Sequence, residues 1–341
     1  MREPKPYSGV GELTVIRHIR SRAARVSGWR LRVGIGDDCA ILRVRPGEEL
    51  AVTTDLSIAG RHFLLDEEPA EAVGHRTMAR GLSDLAAMGA RPAAAFLSLG
   101  LPRELTVKRG RPEAWVERFF DGLLALAEAH RTPLAGGDLA EAPVATADIV
   151  LVGAVPRGRA LLRSGAKTGD LLYVTGSLGG AAAGLERLRD LAADTKSQKR
   201  PLSIPKAMQA ALAPYLFPQP RVAQGFWLQK QGIASSAIDL SDGISTDLAH
   251  LCEESGAAAE LDAAALPVRS SATLEQALHG GEDYELLFSA EASIRVPRRI
   301  AGVPVTCIGR IVRRPKGGPV VTIKTAQGSR PLEPHGWQHF S

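Results

Sequence analysis

Only three cysteines occur in the 341 residues: Cys39, Cys252 and Cys307, far apart and without a CxxC pair. That argues against a disulfide framework and against a structural zinc site, and it fits a reducing cytoplasm. The chain also lacks the run of about 20 apolar residues that a bilayer span needs. Its longest apolar stretches, PAAAFLSLGLP and ADIVLVGAVP, are interrupted or too short. The start, MREPKPYSGVGELTVIRHIRSR, has no uninterrupted apolar core of signal-peptide type, so neither export nor a membrane partner is expected. The usual nucleotide-binding solutions are missing as well: there is no GxxxxGK[ST] P-loop, no GxGxxG opening a helix after a strand, and no HRD or DFG set. A GxSxG elbow, an HExxH pair and a repeat of solenoid period are likewise absent.

What is present describes a folded, globular chain. Hydrophobic residues make up 45% and charged residues 23%, close to the globular average, which excludes disorder and a fibrous design. A chain of 341 residues exceeds what one apolar core usually serves, so two domains are expected. Lys and Arg number 42 against 37 Asp and Glu, a net charge of +5. The basic residues are scattered apart from one run at 189–206, RDLAADTKSQKRPLSIPK, which reads as a solvated loop, and no nucleic-acid partner is expected.

Hydrophobic period orders the elements. GELTVIRHI has apolar residues at 13, 16 and 19 and predicts a short amphipathic helix; a β-like segment follows near 32–45, then the β-branched ELAVTTDLSIA. Residues 69–89 predict a helix that opens on proline and closes on Gly89. AAAFLSLGLP and ADIVLVGAVP predict buried strands on either side of a helix in PEAWVERFFDGLLALAEAH. From GRALLRSGAKTGDLLYVTGSLGGAAAG onward comes a second series: strand, Gly-rich turn and helix, a helix near 220–232, the strand SSAIDLSD, a helix in GISTDLAHLCEESG, then AELD, GGEDYELLFSA and VPVTCIGRIV. The fold class expected is α/β (α+β), with two mixed α/β domains at 1–155 and 156–341.

Acidic residues recur where strands end and turns begin. Asp37 and Asp38 follow a Gly-x-Gly turn, Thr53, Thr54 and Asp55 end a strand, Asp138 follows two glycines, and Asp239 and Asp242 bracket Ser241; Asp84 sits within a helix. Several carboxylates at one site repel unless a hard cation such as Mg2+ joins them, and that ion takes carboxylate, hydroxyl and water oxygens beside phosphates. Asp38 then needs a cation, while Asp37 shapes the turn. Singly, each signal has a plain structural reading: an Asp after Gly is a turn or cap residue, LSDG an N-cap, and Ser83 or Asp84 a solvent-facing helix position. The VTGSLGGAAAG turn can hold an anion at a helix N-terminus, or serve only close helix packing.

Taken together, GIGDDCAIL, TTDLSIAGRHF, LSDLAAMGA, GGDL, LLRSGAKTGD, AIDLSDGISTDL and GGEDYELLF resemble, in order and spacing, the thiamine-monophosphate kinase family. That family belongs to a superfamily that includes aminoimidazole ribonucleotide synthetase and selenophosphate synthetase. The resemblance implies direct in-line transfer of the γ-phosphoryl of ATP to thiamine monophosphate, with no dedicated general base. It implies that Asp38, Thr53, Thr54, Asp55, Asp84, Asp138, Asp239 and Asp242 hold several Mg2+ ions. It implies further that Gly137, Asp138, Arg163 and Ser241 contact ATP, and that His62, Glu282 and Trp337 contact the thiamine phosphate. The N-terminal domain would carry most metal ligands and a sheet that pairs with a second subunit in a homodimer, and the C-terminal domain would complete the ATP and substrate sites. Trp337 stands where the family commonly has another aromatic, and 189–206 is longer than usual. Of the rival readings, a selenophosphate synthetase wants a reactive cysteine near the N-terminus, but none precedes Cys39; a hydrogenase-maturation protein wants a C-terminal cysteine, where this chain reads WQHFS; a non-catalytic nucleotide sensor would have lost metal ligands that are all here.

Overall fold

Small and apolar residues set the frame of the first half. Helix α1 (Glu12–Ala23) leads to two short antiparallel strands, β1 (Leu31–Val33) and β2 (Ile41–Leu42), with Gly36 and Asp38 in the turn between them. Strand β3 (Glu48–Ile58), helix α2 (Ala70–Ala87), strand β4 (Arg91–Leu101), helix α3 (Trp115–Ala129) and strands β5 (Leu134–Glu141) and β6 (Thr146–Pro156) follow. Four of these strands form one sheet in the order β3-β6-β4-β5, with β4 and β5 parallel. The protein is seen here as a computed structural model that describes residues 12–26, 28–36, 38–108, 113–197 and 204–336.

Helix α3 forms because Val116, Phe119, Phe120, Leu123 and Ala127 recur at three- and four-residue spacing and are buried. Glu117 in its first turn accepts the Ala114 N–H at 2.7 Å, satisfying one of the orphan amides of the helix start. Helices α2 and α3 meet backbone to backbone. A Cβ on Gly74 would overlap the Phe119 carbonyl, and one on Gly122 the Glu71 carbonyl, so only glycine fits this crossing. Strand β4 is buried along most of its length, the pattern of a strand covered on both faces.

The second half continues with β7 (Leu171–Thr175), α4 (Gly180–Ser197), α5 (Lys206–Leu216), α6 (Val222–Gln231), β8 (Ser236–Asp239), α7 (Ile244–Glu254), β9 (Ala258–Asp262), α8 (Leu274–His279), β10 (Leu286–Ala290), β11 (Arg299–Ile300), β12 (Val303–Val312), β13 (Val321–Thr325) and β14 (Gly328–Pro331). Its sheet runs β14-β13-β9-β12-β7-β10-β8, with β11 attached to β12 and only the β9–β13 pair parallel. Leu172, Val174, Ile238, Leu248, Leu251, Leu287, Ile308 and Ile323 close its core. Full burial of each such side chain contributes about 1.5–3 kcal/mol.

By its internal contacts the chain falls into two compact units. One comprises Val52–Gly81 and Pro92–Gly153 with the chain before Gly47; the other comprises Gly47–Ala51, Leu82–Arg91 and the chain from Ala154 onward. The last turns of α2, with Ser83 and Asp84, therefore belong to the second unit.

The basic run at 189–206 departs from the expected loop. Helix α4 continues through it to Ser197 and α5 begins at Lys206, with 198–203 outside the described residues. The physical reason is a narrow apolar stripe: Leu188 and Ala192, one turn apart, are buried, while Arg189, Asp190 and Asp194 face out. Among the described residues, no helix is long and apolar enough to cross a membrane.

Candidate functional site

The chemistry-bearing side chains of the second unit gather at the end of β8. Asp239, its last residue, is buried, and Ser83 of α2 donates its hydroxyl to Asp239 Oδ2 at 2.7 Å. Burial first, and then the negative charge of Asp84, push the Asp239 carboxyl up to about 7; the Ser83 hydrogen bond and the Arg163 charge pull the other way. Arg163 is exposed, and its carbonyl accepts the Ser255 hydroxyl at 2.6 Å. The strand-like segment before it runs alongside β8, with the Ala237 N–H on the Leu162 carbonyl at 3.0 Å. Asp84, Asp239 and Arg163 thus come together, and Ser83 does not face solvent.

Next to Asp239 is the turn Leu240–Gly243. Asp247, in the first turn of α7, accepts from the amides of Ser241, Asp242 and Gly243 through its Oδ2, each at 3.1 Å. Burial, then the charges of Asp239 and Asp242, push Asp247 well above the carboxylate range, against the pull of the amides. The N-cap of α7 is Gly243, at φ +107°, with no side-chain cap, so Asp242 does not serve that purpose.

The GGEDYEL segment lies against this turn. Glu282 N–H donates to the Ser241 carbonyl at 2.8 Å and Tyr284 N–H to the Leu240 carbonyl at 2.9 Å, prolonging the β8–β10 pairing. Ser241 and Glu282 are therefore neighbours. Glu282 and Tyr284 both hold left-handed backbone, at φ +67° and +49°, an uncommon state for side-chain-bearing residues that neighbouring structure must enforce. Two carboxylates of the same segment, part-buried Asp283 and buried Glu285, do so. Asp283 accepts from the amides of Gly179 at 2.6 Å and Ala181 at 3.1 Å, at the start of α4. Burial pushes Asp283 up to about 7. Glu285 accepts Thr175 Oγ1 at 2.7 Å and is gripped by both arms of Arg221, Nε and Nη2 each at 2.5 Å. The anion at the Gly-rich helix start is thus the protein's own Asp283. Close packing holds there too, since a Cβ on Gly184 would come within 2.9 Å of Tyr215 Cβ on α5.

The C-terminal segment reaches the same place. Gly336 N–H donates to Thr246 Oγ1 at 3.1 Å, and a Cβ on Gly336 would overlap the Asp242 carbonyl. Trp337 lies outside the described residues, as does Asp37.

In the first unit, Thr53 and Asp55 alternate onto the β3 face that also carries Ser57, and Ser57 Oγ accepts from Arg80 of α2 at 3.3 Å. Thr54 points to the opposite, exposed face and can reach the Asp55 side only through its main chain. His62 follows in the turn after β3. Its Nδ1 accepts the Ile58 N–H at 3.1 Å, which leaves the ring proton on Nε2 as a donor. Arg76 holds that turn, donating to the His62 carbonyl at 3.0 Å and to buried Glu68 at 2.5 Å. On the edge strand β5, Gly137 stands at φ +147°, where a Cβ would overlap the Leu97 carbonyl. Asp138, opposite Ser98 in register, is exposed and accepts its neighbour Leu139 N–H at 3.0 Å. Asp38 is exposed in its turn.

Among the described residues, no three His, Cys, Asp or Glu side chains stand close enough to form a metal cage on their own. Sequence reasoning weighed Ser83 only as a solvent-facing helix position and passed over Asp247, Asp283 and Glu285. Each sits inside a motif already singled out, and the available signal for the carboxylates was Asp247 in STDL and the two acidic residues that follow Glu282 in GEDYE.

Residues 36–157 match the family model described as AIR synthase related protein, N-terminal domain, and residues 167–321 the corresponding C-terminal domain. The thiamine-monophosphate kinase of Escherichia coli K12 is 40% identical over 313 residues, covering 88% of this chain and 90% of that protein. The crystal structure of thiamine-monophosphate kinase from Stenotrophomonas maltophilia K279a superposes with a TM-score of 0.74 at 36% identity, over 92% of this chain and 96% of that one. A structure described as AaThiL complexed with AMPPCP and TMP gives a TM-score of 0.72 at 30% identity, over 100% of this chain and 99% of that one. With both family models matched and identity of this level over most of its length, the chain belongs to the thiamine-monophosphate kinase family, built from two AIR synthase related domains.

Proposed function

We propose that the protein phosphorylates thiamine monophosphate with ATP, giving thiamine diphosphate and ADP, as the last step of thiamine diphosphate synthesis in the cytoplasm. The observation that carries the reading is the match over the full chain to a relative described with an ATP analogue and TMP bound. An oxygen of the acceptor phosphate attacks the γ-phosphorus, and the bond from that phosphorus to the β–γ bridging oxygen breaks. The acceptor's second pKa, near about 6, leaves it ionised at neutral pH, so no side chain need remove a proton.

The donor set fits Mg2+: every proposed ligand atom is oxygen, and Asp239 is a buried carboxylate whose ionisation is opposed by Asp84 until a cation joins them. Bound Mg2+ supplies charge neutralisation between two polyanions and keeps them in line. Asp38, Thr53, Thr54, Asp55, Asp84, Asp138, Asp239 and Asp242 are the proposed ligands, Thr54 through its carbonyl. Arg163 neutralises ATP phosphate oxygens, Ser241 offers a hydroxyl, and the Gly137–Asp138 edge takes the nucleotide. His62 donates from Nε2 to the acceptor phosphate, because its Nδ1 is occupied by Ile58. Glu282 gives an anion, and Trp337 an aromatic face, to the thiamine cation.

The division at 1–155 and 156–341 is part of the same reading, as is a homodimer formed through the first sheet. Strand β3 is an edge strand, and Val52 and Leu56 on its outer face are 62% and 49% exposed. An apolar edge of this kind calls for a cover, and a second copy of the chain supplies one. The test is direct: purified protein with Mg-ATP and thiamine monophosphate, chromatographed for thiamine diphosphate. Absence of that product, or consumption of an aminoimidazole precursor in its place, overturns the assignment.

A further inference from the structure

We infer that Asp247 is a positioning residue, which sets the Ser241–Gly243 turn in the one conformation that presents Asp242 to the metal. A single oxygen, Oδ2, gathers the amides of Ser241, Asp242 and Gly243 at 3.1 Å each. Three consecutive N–H groups pointed at one atom leave the turn little torsional freedom, since each bond constrains a peptide plane. Asp247 is 2% exposed, so water does not replace it. The turn is enclosed elsewhere by main chain: Glu282 N–H holds the Ser241 carbonyl, and a Cβ on Gly281 or Gly336 would crowd the Ser241 or Asp242 carbonyl. Side-chain control of the turn therefore comes from Asp247, which acts on the metal through its neighbours and not as a ligand.

This inference rests on the reading of Asp242 as a metal ligand, and the experiment separates the two. Mn2+ is titrated into the full chain with a non-hydrolysable ATP analogue, and free Mn2+ is read by its electron paramagnetic resonance signal. Asp242→Asn serves as the reference and should weaken Mn2+ binding. Asp247→Ala should weaken it by about tenfold or more, the usual cost of removing a group that orients a ligand. Asp247→Asn keeps an oxygen acceptor of the same shape and should stay within about threefold of wild type. If Asp242→Asn weakens binding and Asp247→Ala does not, the inference fails while the ligand reading stands. If Asp242→Asn binds like wild type, the ligand reading fails and takes the inference with it. Should the alanine variant not fold, the asparagine variant decides: a loss as large as that of Asp242→Asn means that charge, not the geometry of the turn, is what matters, and overturns the inference.

Discussion

Ser83 of α2 donates its hydroxyl to Asp239 at the end of β8, joining residues 156 positions apart in the chain. The bond holds one member of a carboxylate pair whose other member, Asp84, is the next residue along the helix. The charge of Asp84 opposes the ionisation of Asp239, so the two repel whenever both are ionised.

Removing one charge should expose that conflict. Asp84→Asn is expected to raise the melting temperature of the metal-free protein, while turnover with Mg-ATP and thiamine monophosphate falls by about two orders of magnitude or more. Calorimetry in chelator and a steady-state assay test the two halves. A variant that is both less stable and fully active would contradict the account.

Asp283 gives a pH signature. Its folded-state value is about 7 against 3.8 in the unfolded chain, so between these pH values the folded state keeps a proton that the unfolded state has lost. The sign follows: this group's contribution to stability is greatest below about pH 4 and is lost as pH rises toward 7, at up to about 1.4 kcal/mol per pH unit. Asp283→Asn cannot titrate. Plotted from pH 5 to pH 8, the stability of wild type minus variant should decline; a flat difference would mean that Asp283 ionises in its ordinary range.

Arg221 grips Glu285 with two nitrogens, and Glu285 is buried. Arg221→Met leaves that carboxylate without its cation and should destabilise the protein by about 3–5 kcal/mol, measured by urea unfolding at pH 8. Arg221→Lys, with one point charge in place of the fork, should lie between the two.

At Gly137 the main chain of β5 approaches Leu97 too closely for any side chain. Gly137→Ala should cost about 1–3 kcal/mol through overpacking alone, before any effect on nucleotide binding. An unfolding midpoint equal to wild type would show that β5 can shift outward freely.

The alternation of strands and helices was legible because long apolar periods, such as those of α3 and β4, have few competing readings. Helix α5 escaped because Pro214 lies inside it and discourages a helical reading, whereas in the structure Pro214 packs near Gly180 of α4. The basic run misled because, among its described residues, Ala192 is the one buried apolar side chain, with Leu188 just before it, too thin a stripe to outweigh the surrounding charge. At the candidate site, motif order pointed to Asp239, Ser241, Asp242 and Glu282, which the fold brings close together. It could not show that Asp247, Asp283 and Glu285, equally acidic and only a few positions away, turn inward to hold main chain and Arg221, because which carboxylate faces the core depends on backbone angles such as the positive φ of Glu282.

The start of α4 is already occupied by Asp283, which accepts the Gly179 and Ala181 amides, and this bears on how the protein can hold a polyphosphate. A helix start whose Gly179 and Ala181 amides are taken by Asp283 has fewer donors to offer a phosphate. On the proposed reading, affinity for the triphosphate would come from Arg163 and from the cations that the triphosphate brings to a surface of acidic side chains. The nucleotide and its counter-ions are then a single cargo, and chelation of divalent ions should weaken nucleotide binding along with metal binding.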